Sequence, residues 1–207
     1  MGKMPRAARE KVLIQVIKVL LGVGSSQKRE SARTQLRKVV VSEAVEQSLA
    51  RIGFEGRTNI GANYAAVHQL LSQMKVSTAV VDFVVTQCFA RAREARVFYG
   101  AEALSHAAHF LAYGASRPVA EKVVAELARA GFYGRIEAVA NRCLGRGLLP
   151  KEMHALVDAY CADTACQSTA EEKHLGQMAF KYLSSTEAIA ACKKLKDFQT
   201  EFNSHID

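Results

Sequence analysis

The residues of this chain whose type and spacing suggest chemistry are the cations of the segment SSQKRESARTQLRKVVV, residues 25 to 41. Its three arginines recur at every fourth position, so on a helix they form one stripe that flanking lysines widen. Such a stripe can follow a phosphate backbone, and the alternative is an ordinary solvated helix face. Acids are scarce in the segment, which favours phosphate binding. The predicted nucleic-acid contacts are Lys28, Arg29, Arg33, Arg37 and Lys38.

Two more arginines, Arg57 and Arg135, stand at equivalent places in a repeated phrase. The phrase reads LARIGFEGR at residues 49 to 57 and LARAGFYGR at residues 127 to 135. A guanidinium at this place can bond the last carbonyls of the preceding helix, or it can face a bound nucleic acid. We keep both arginines as candidate nucleic-acid contacts.

His106 and His109 are the first candidates for a metal site, because residues three apart on a helix lie one above the other. No acidic or cysteine residue is spaced to complete a site with them, so we expect both rings to pack in the core or a groove. The sequence therefore predicts no metal ion here.

A second group of metal-ligand types surrounds Cys161 and Cys166, which are flanked by His154 and His174. The five-residue step between the cysteines matches none of the strong zinc patterns. The segment CADTAC is more typical of a helix end. We expect no metal and no cofactor at this group either.

Motifs for catalysis are missing from the sequence. The segment GRGLLP lacks the lysine that would reach a phosphate, and GVGSSQK does not follow a strand. The serines form no nucleophile elbow, and Asp158 and Asp163 have no clear partner for acid–base work. We expect a protein that is not an enzyme and has no small-molecule substrate.

The positive charge of the chain is concentrated near its N-terminus. The net charge is +8; residues 1 to 57 hold 12 Lys or Arg and 5 Asp or Glu, and residues 58 to 207 hold 16 and 15. The first part therefore carries +7 and the rest +1, which points to a polyanion near the N-terminus, either nucleic acid or an anionic membrane. The five cysteines lack a disulfide framework, which is typical of a reducing compartment.

The opening segment MPRAAREKVLIQVIKVLLGVG, residues 4 to 24, is basic and contains a single acid, Glu10. It is too short and too charged to span a membrane. It can be a mitochondrial targeting segment, which is amphipathic and poor in acids, or an ordinary first helix. Its valines lie near one predicted helical face: Val12, Val16, Val19 and Val23.

The repeated phrase extends into a longer internal repeat. A shift of 78 aligns residues 41–71 with residues 119–149, and 14 of the 31 positions are identical. In each copy the first glycine, Gly53 or Gly131, is placed to supply the left-handed residue that ends a helix. A second glycine, Gly56 or Gly134, then predicts a turn before the next helix at about residue 58 or 136.

A third, looser copy places Phe98-Tyr99-Gly100 at another corner, 44 residues after the first and 34 before the last. Spacings of this length are typical of helical hairpins. Apolar residues recur at three and four, and no stretch alternates long enough for a sheet. The sequence predicts helices at about 6–21, 27–52, 61–75, 78–96, 101–113, 118–130, 136–145, 150–162, 170–183 and 186–202.

The predicted architecture is all-α, an α-solenoid of antiparallel helical hairpins with about 35 to 44 residues per repeat and roughly ten helices. We expect a basic N-terminal helical segment at residues 1–40 and a helical-repeat domain at residues 41–207. Ser77 and Ser185 are the expected N-caps, and Pro118 and Pro150 the expected first helical residues.

At this point a family resemblance becomes visible. The phrases ALSHAAHFLAYGASRPVAEKVVAELARAGFYG and EAVANRCLGRGLLPKEMHALVDAYC resemble the degenerate helical repeats of organellar RNA-binding proteins, the pentatricopeptide and heptatricopeptide type. The resemblance spans residues 41 to 165. It implies work in mitochondrial or plastid RNA processing, or a place among the proteins of mitochondrial ribosomes. The few, irregular repeats depart from the family and argue against a code of one base per repeat.

The combined expectation is a non-enzymatic helical-repeat subunit of a ribonucleoprotein in the mitochondrial matrix, most concretely a ribosomal or ribosome-associated protein. Its partners would be RNA, in particular rRNA, and other proteins of a large complex. The alternative is a protein-only adaptor or a subunit of a mitochondrial membrane complex. In that case the basic N-terminus would target the chain or lie on lipid.

Overall fold

The structure is a computed structural model that describes residues 5–21, 60–73, 76–94, 97–163 and 169–195. All regular structure in these residues is helical, and no strand occurs among them, so the all-α prediction is confirmed. The helices are α1 (Arg6–Leu20), α2 (Ile60–Gln73), α3 (Thr78–Glu94), α4 (Val97–Phe110) with a 3₁₀ turn (Leu111–Tyr113), α5 (Arg117–Arg129), α6 (Tyr133–Val139) with a π-helical turn (Ala140–Leu144), α7 (Pro150–Ala162), α8 (Thr169–Tyr182) and α9 (Ser185–Cys192).

None of the helices in the described part of the chain is both long and apolar enough to span a membrane. Several predictions fall outside the description: the helix at 27–52, the first copy of the repeated phrase and the division at residue 40.

Most helices begin and end within a few residues of their predicted bounds, and α7 matches its predicted range. Two bounds are wrong. Helix α4 begins at Val97, so Gly100 lies inside the helix and marks no corner, because a helix tolerates glycine at modest cost. Helix α9 ends at Cys192, well before residue 202, and the chain turns at residues 193–194.

The cap of α9 is Ser184, one residue before the predicted Ser185. Its Oγ accepts the Glu187 N–H at 3.4 Å, and the Glu187 carboxylate accepts the Ser184 N–H at 3.1 Å. This reciprocal capping box requires an acceptor three residues after the cap, and Glu187 stands three residues after Ser184.

The described helices fall into two compact units, Met1–Val119 and Ala120–Asp207, which we describe separately. In unit 1, α1 contacts α2 and α3, and α3 packs against α4. Glu10 of α1 accepts hydrogen bonds from the Ser77 N–H at 3.1 Å and from the Ser77 hydroxyl at 2.8 Å, which fixes α1 to the start of α3. These bonds hold the pKa of Glu10 below its usual value.

Helix α1 presents a buried apolar stripe to the core of unit 1: Leu13, Val16, Ile17 and Leu20. These positions follow the spacing of three and four that a helix needs to bury one face. Val12 is only half-buried, so the predicted valine face is displaced by about one residue. The burial of this stripe favours the ordinary first helix over a separate targeting segment for residues 6–20.

In unit 2, α7 contacts α8, and α8 packs against α9. The second copy of the phrase forms the predicted corner: Gly131 has φ of +72°. Its N–H donates to the Ala128 carbonyl at 3.1 Å, and the Phe132 N–H donates to the Leu127 carbonyl at 3.0 Å. These two bonds define a Schellman motif, so the helix stop predicted at Gly131 is confirmed.

The role predicted for Gly134 is wrong. Helix α6 begins at Tyr133, two residues after Gly131, and Gly134 lies in its first turn without a positive φ. One left-handed residue is enough to end α5 here, and the Tyr133 N–H bonds the Gly131 carbonyl at 2.9 Å where α6 begins.

Candidate functional site

The predicted RNA contacts lie almost entirely outside the described residues. Lys28, Arg29, Arg33, Arg37, Lys38 and Arg57 belong to ranges that the structure does not describe. Arg135 is described, and its side chain is exposed near the start of α6. The exposure leaves a role in binding a large polyanion open for Arg135.

The residues weighed as a zinc cluster around Cys161 have separate neighbours in unit 2. The Cys161 thiol lies 3.5 Å from the Lys194 carbonyl oxygen, and His154 Nε2 lies 3.6 Å from a Glu187 carboxylate oxygen. The centroid of the His174 ring lies 6.2 Å from the centroid of the Tyr133 ring. Cys166 falls outside the description. These described side chains do not converge on one point.

A different cluster appears in unit 1, where three histidines meet. His68 lies on α2, and His106 and His109 lie on α4. One ring nitrogen of each lies within 4.8 Å of the other two. Among the residues that the structure describes, this is the one group of three or more His, Cys, Asp or Glu side chains placed to share a metal ion.

Aromatic rings from the same two helices hold the histidines in place. Tyr64 stacks on His106 and Phe110 stacks on His68, each with ring centroids 4.1 Å apart. Tyr64 and His68 are four residues apart on α2, and so are His106 and Phe110 on α4, so each helix presents both of its rings on one face. Tyr64 and Phe110 are fully buried, which restricts the rotation of the histidines.

The ring nitrogens of His68 have defined neighbours. Its Nδ1 lies 3.3 Å from the Tyr113 hydroxyl oxygen, which also lies 3.3 Å from the His68 carbonyl oxygen. A carbonyl oxygen only accepts, and a hydroxyl has one proton. Both contacts are hydrogen bonds when Tyr113 donates to the carbonyl and accepts from His68 Nδ1–H. This arrangement leaves a lone pair on His68 Nε2.

That lone pair faces the second histidine: His68 Nε2 lies 3.5 Å from His106 Nδ1. The other nitrogen of His106, Nε2, lies 3.9 Å from a carboxylate oxygen of Glu102, one helical turn earlier. His109 completes the group at the exposed edge of the cluster. The cluster therefore has an inner pair with oriented nitrogens and an outer ring that solvent reaches.

The surroundings favour neutral imidazoles. Burial, with the neighbouring His106 and His109 acting in the same direction, lowers the pKa of His68 to about 4. Burial also lowers the pKa of His106, although the carboxylate of Glu102 opposes this effect. Neutral imidazoles carry the free lone pairs that a metal ligand needs.

One polar atom beside this cluster has no hydrogen bond. The Tyr64 hydroxyl is buried and lacks a partner among the described residues. Burial, together with the nearby Cys88, raises the pKa of this hydroxyl. Burial likewise raises the pKa of the Cys88 thiol to about 12, so Cys88 is an inert core thiol.

Unit 2 contains a buried polar pair of a different kind. Glu152 is 4% exposed, and its two carboxylate oxygens accept from the Arg146 guanidinium at 2.9 Å each. The Leu149 N–H also donates to this carboxylate at 2.9 Å, at the start of α7. Burial acts to raise the pKa of Glu152, but Arg146 and the Leu149 N–H outweigh it and hold the pKa below its usual value.

Comparison with protein families, curated proteins and solved structures gives no match to this chain. The candidate sites therefore have to be judged from their own geometry and charge.

The histidine cluster shows what sequence reasoning missed. His68 precedes His106 by 38 residues, so no short motif joins them. The available signal was the pairing of an aromatic residue and a histidine four apart on each helix, Tyr64 with His68 and His106 with Phe110. That signal becomes informative only when α2 and α4 are known to be neighbours.

Proposed function

We propose that the chain is a non-enzymatic, RNA-binding subunit of a mitochondrial ribonucleoprotein, most concretely a ribosomal or ribosome-associated protein. The observation that carries the proposal is the charge distribution, with +7 in residues 1–57 and +1 in the remaining 150. The stripe of Arg29, Arg33 and Arg37 concentrates that charge on one predicted helix face.

The physical argument is electrostatic. Each cation that neutralises a phosphate releases a condensed counterion, so a stripe of cations gains affinity from entropy and loses it as salt rises. Contacts of this kind hold a structured RNA by its backbone without reading sequence. A subunit with a fixed place in a larger assembly needs that type of binding, because its neighbours supply the specificity.

The all-helical character of the described residues supports a helical-repeat scaffold as the framework. Several helices that follow each other in the chain are in contact, α3 with α4, α7 with α8 and α8 with α9, and the second copy of the phrase forms a tight corner at Gly131. We extend this to an α-solenoid of antiparallel hairpins, which presents long surfaces to partners. The proposed mitochondrial location depends on the resemblance to organellar RNA-binding repeats.

A charge-matched pair of variants tests the proposal. In R29Q/R33Q/R37Q and in K122Q/K151Q/K173Q the net charge falls equally, from +8 to +5. The three lysines of the second variant are exposed in unit 2. Binding of a labelled structured RNA is measured by fluorescence anisotropy over a series of KCl concentrations.

We expect the arginine variant to bind more weakly and its plot of log affinity against log salt to flatten by about 2 to 3 units, as three lost phosphate contacts require. The lysine variant should keep the wild-type slope. Equal effects of the two variants, or an unchanged slope in the arginine variant, would contradict the stripe as the RNA contact.

The second candidate is a protein-only adaptor or a subunit of a mitochondrial membrane complex. The observation that favours it is the exposure of two large apolar side chains on packed helices of unit 2, Phe180 at 43% and Ile189 at 42%. Exposed apolar side chains are used in protein contacts. Sedimentation of the native protein separates the two: co-migration with ribosomal RNA that ribonuclease abolishes supports the first candidate, and co-migration with polypeptides alone supports the second.

A further inference from the structure

We propose that His68, His106 and His109 form a binding site for one divalent transition-metal ion of the zinc class. The proposal is independent of RNA binding, because the site involves none of the predicted RNA contacts.

The spacing of the nitrogens is the first argument. Two imidazole nitrogens that bind one tetrahedral zinc ion at the usual bond length stand about 3.4 Å apart. His68 Nε2 and His106 Nδ1 are 3.5 Å apart, so this pair already has the required separation. A nitrogen of the third ring, His109, lies within 4.8 Å of a nitrogen of each of the other two, so a small movement of this ring would bring three nitrogens to one ion. His109 is exposed to solvent.

Each histidine of the inner pair, His68 and His106, has a polar side chain near its remaining ring nitrogen, and we call these side chains the outer partners. Metal-binding histidines usually donate their remaining N–H to a carboxylate or another oxygen, which fixes the ring and its tautomer. His68 has the Tyr113 hydroxyl at its remaining nitrogen, and His106 has the Glu102 carboxylate. Metal binding at His106 Nδ1 would place its proton on Nε2, on the side of Glu102.

A metal site differs from simple ring packing in the part of each ring that it uses. Packing uses the faces of the rings, and Tyr64 and Phe110 already cover the faces of His106 and His68. The ring edges remain, and in the inner pair they point at each other. With the His106 proton on Nδ1 the contact is one N–H···N hydrogen bond, and with that proton on Nε2 both facing nitrogens carry lone pairs that a cation between them can bind.

The ligand set decides the class of ion. Neutral imidazole suits zinc, cobalt, nickel and copper, whereas magnesium and calcium require oxygen ligands. Three histidines leave a fourth position for water or an exogenous ligand at the exposed edge near His109. The site is therefore expected to take Zn²⁺ or Co²⁺ and to discriminate against Mg²⁺.

The test is a titration of the full chain, prepared without a polyhistidine tag and stripped with a chelator. Co²⁺ is added first, because its visible absorption reports tetrahedral nitrogen coordination, and Zn²⁺ is then added to displace it. We expect one equivalent of Co²⁺ per chain, displacement by one equivalent of Zn²⁺, and no competition from Mg²⁺ in large excess.

Two variants locate the ion. His109→Gln removes an exposed ligand with little risk to the fold and should weaken Co²⁺ binding by more than about tenfold, since loss of an outer partner alone typically costs 10- to 100-fold. Glu102→Gln, which keeps the shape of the outer partner, should weaken it by about tenfold. His174→Gln removes an exposed histidine of unit 2 and should leave binding unchanged; circular dichroism verifies the helical content of each variant.

Binding of about one equivalent that His109→Gln weakens and His174→Gln does not would support the site. Absence of binding by the wild-type chain would overturn it in favour of ring packing only. Binding that His109→Gln leaves intact, or that His174→Gln weakens equally, would place the ion elsewhere and would also overturn it.

Discussion

The two units differ in how their buried and half-buried polar side chains are bonded. In unit 2 the Glu152 carboxylate is surrounded by donors, two from Arg146 and one from the Leu149 N–H, so its charge is paired and its lone pairs are used. In unit 1, His68 Nε2 and His106 Nδ1 lie 3.5 Å apart, and a single N–H···N hydrogen bond joins them when the His106 proton is on Nδ1. The Glu152 carboxylate is held by fixed donors, whereas a move of the His106 proton from Nδ1 to Nε2 leaves the histidine pair with two lone pairs that face each other.

This difference teaches how to separate a structural polar contact from a candidate binding site. The Arg146–Glu152 ion pair fixes the start of α7, and its polar groups are already bonded within the protein rather than placed for a ligand. A converging group of lone pairs with oriented outer partners keeps its capacity to bind a cation. Substitutions, metal binding and changes of pH should therefore affect the two units differently.

The largest expected effect is on unit 2. Glu152→Gln leaves the Arg146 guanidinium, whose side chain is 19% exposed, without its counter-charge. We expect the free energy of unfolding to fall by about 3 kcal/mol, the lower end of the cost of breaking a buried ion pair. Urea unfolding followed by circular dichroism measures it.

The matched control is Asp158→Asn, which breaks the exposed ion pair between Asp158 and Lys194, with a nitrogen–oxygen distance of 2.6 Å. It should cost under about 1 kcal/mol, as surface pairs do. Equal losses in the two variants would show that burial does not distinguish the Glu152 pair.

The next effect is on unit 1. Zn²⁺ at a free concentration about 100 times its dissociation constant should stabilise the folded state by about 2.7 kcal/mol, because it binds the folded form. Hydrogen exchange read by mass spectrometry should show the added protection in peptides from α2 and α4. An equal gain in peptides from α7 and α8, or no gain in α2 and α4, would argue against a metal site confined to the histidines.

A smaller effect is expected at the corner of unit 2. Gly131→Val places a β-branched residue at φ of +72° and should destabilise the fold by about 1 to 2 kcal/mol. The cost is conformational, since the nearest atom to an added Cβ is the Ala159 Cβ at an ordinary 3.8 Å.

Gly134→Ala is the matched control for the corner, because Gly134 is helical and no atom lies within 4 Å of an added Cβ. It should stabilise the helix by up to about 1 kcal/mol. Thermal melts that rank the two substitutions in the reverse order would contradict the Schellman cap, and neither variant should change Co²⁺ affinity.

The smallest expected effect is a difference in pH dependence. The pKa of His68 is about 4 when folded and near its ordinary 6.5 when unfolded, so between these values the unfolded chain binds more protons. The stability of unit 1 should therefore fall as pH falls from 6.5 to 4, with His106, His109 and Tyr113 around the His68 ring. His68 is half-buried, so solvent reduces the effect.

The carboxylate of Glu152 behaves differently, because its folded pKa is held below 4.5. Its contribution to unit 2 is present above pH 4.5 and is lost only as pH falls further, through the folded pKa. Amide spectra of the two units recorded from pH 7 to pH 3 measure this. Loss of unit 2 before unit 1 would contradict the assignment of the two pKa shifts.

The sequence was sufficient for features that depend on local order. The spacing of three and four located most helices, and the LARAGFYGR phrase located the Schellman glycine, because both depend on residues within one or two turns. The sequence was misleading at two glycines that were predicted to mark turns. Gly134 lies in the first turn of α6, and Gly100 lies inside α4. In both cases the helix tolerates glycine, so the residue alone does not mark a turn.

The histidine cluster could not be predicted, since it depends on packing between distant segments. His106 and His109 were identified as a pair, but their partner His68 comes from α2, and its role depends on how α2 meets α4. Glu152 was likewise unremarkable in sequence, because its burial follows from the fold around the start of α7.

The most direct test of the contrast between the units is the imidazole spectrum of the ¹⁵N-labelled chain at pH 7, recorded before and after one equivalent of Zn²⁺. Before zinc, His68 should carry its proton on Nδ1. After zinc, His68 Nε2 and His106 Nδ1 should move to metal-bound shifts, while His154 and His174 stay in place. Unchanged His68 and His106 signals, or equal shifts of all four rings, would contradict the account.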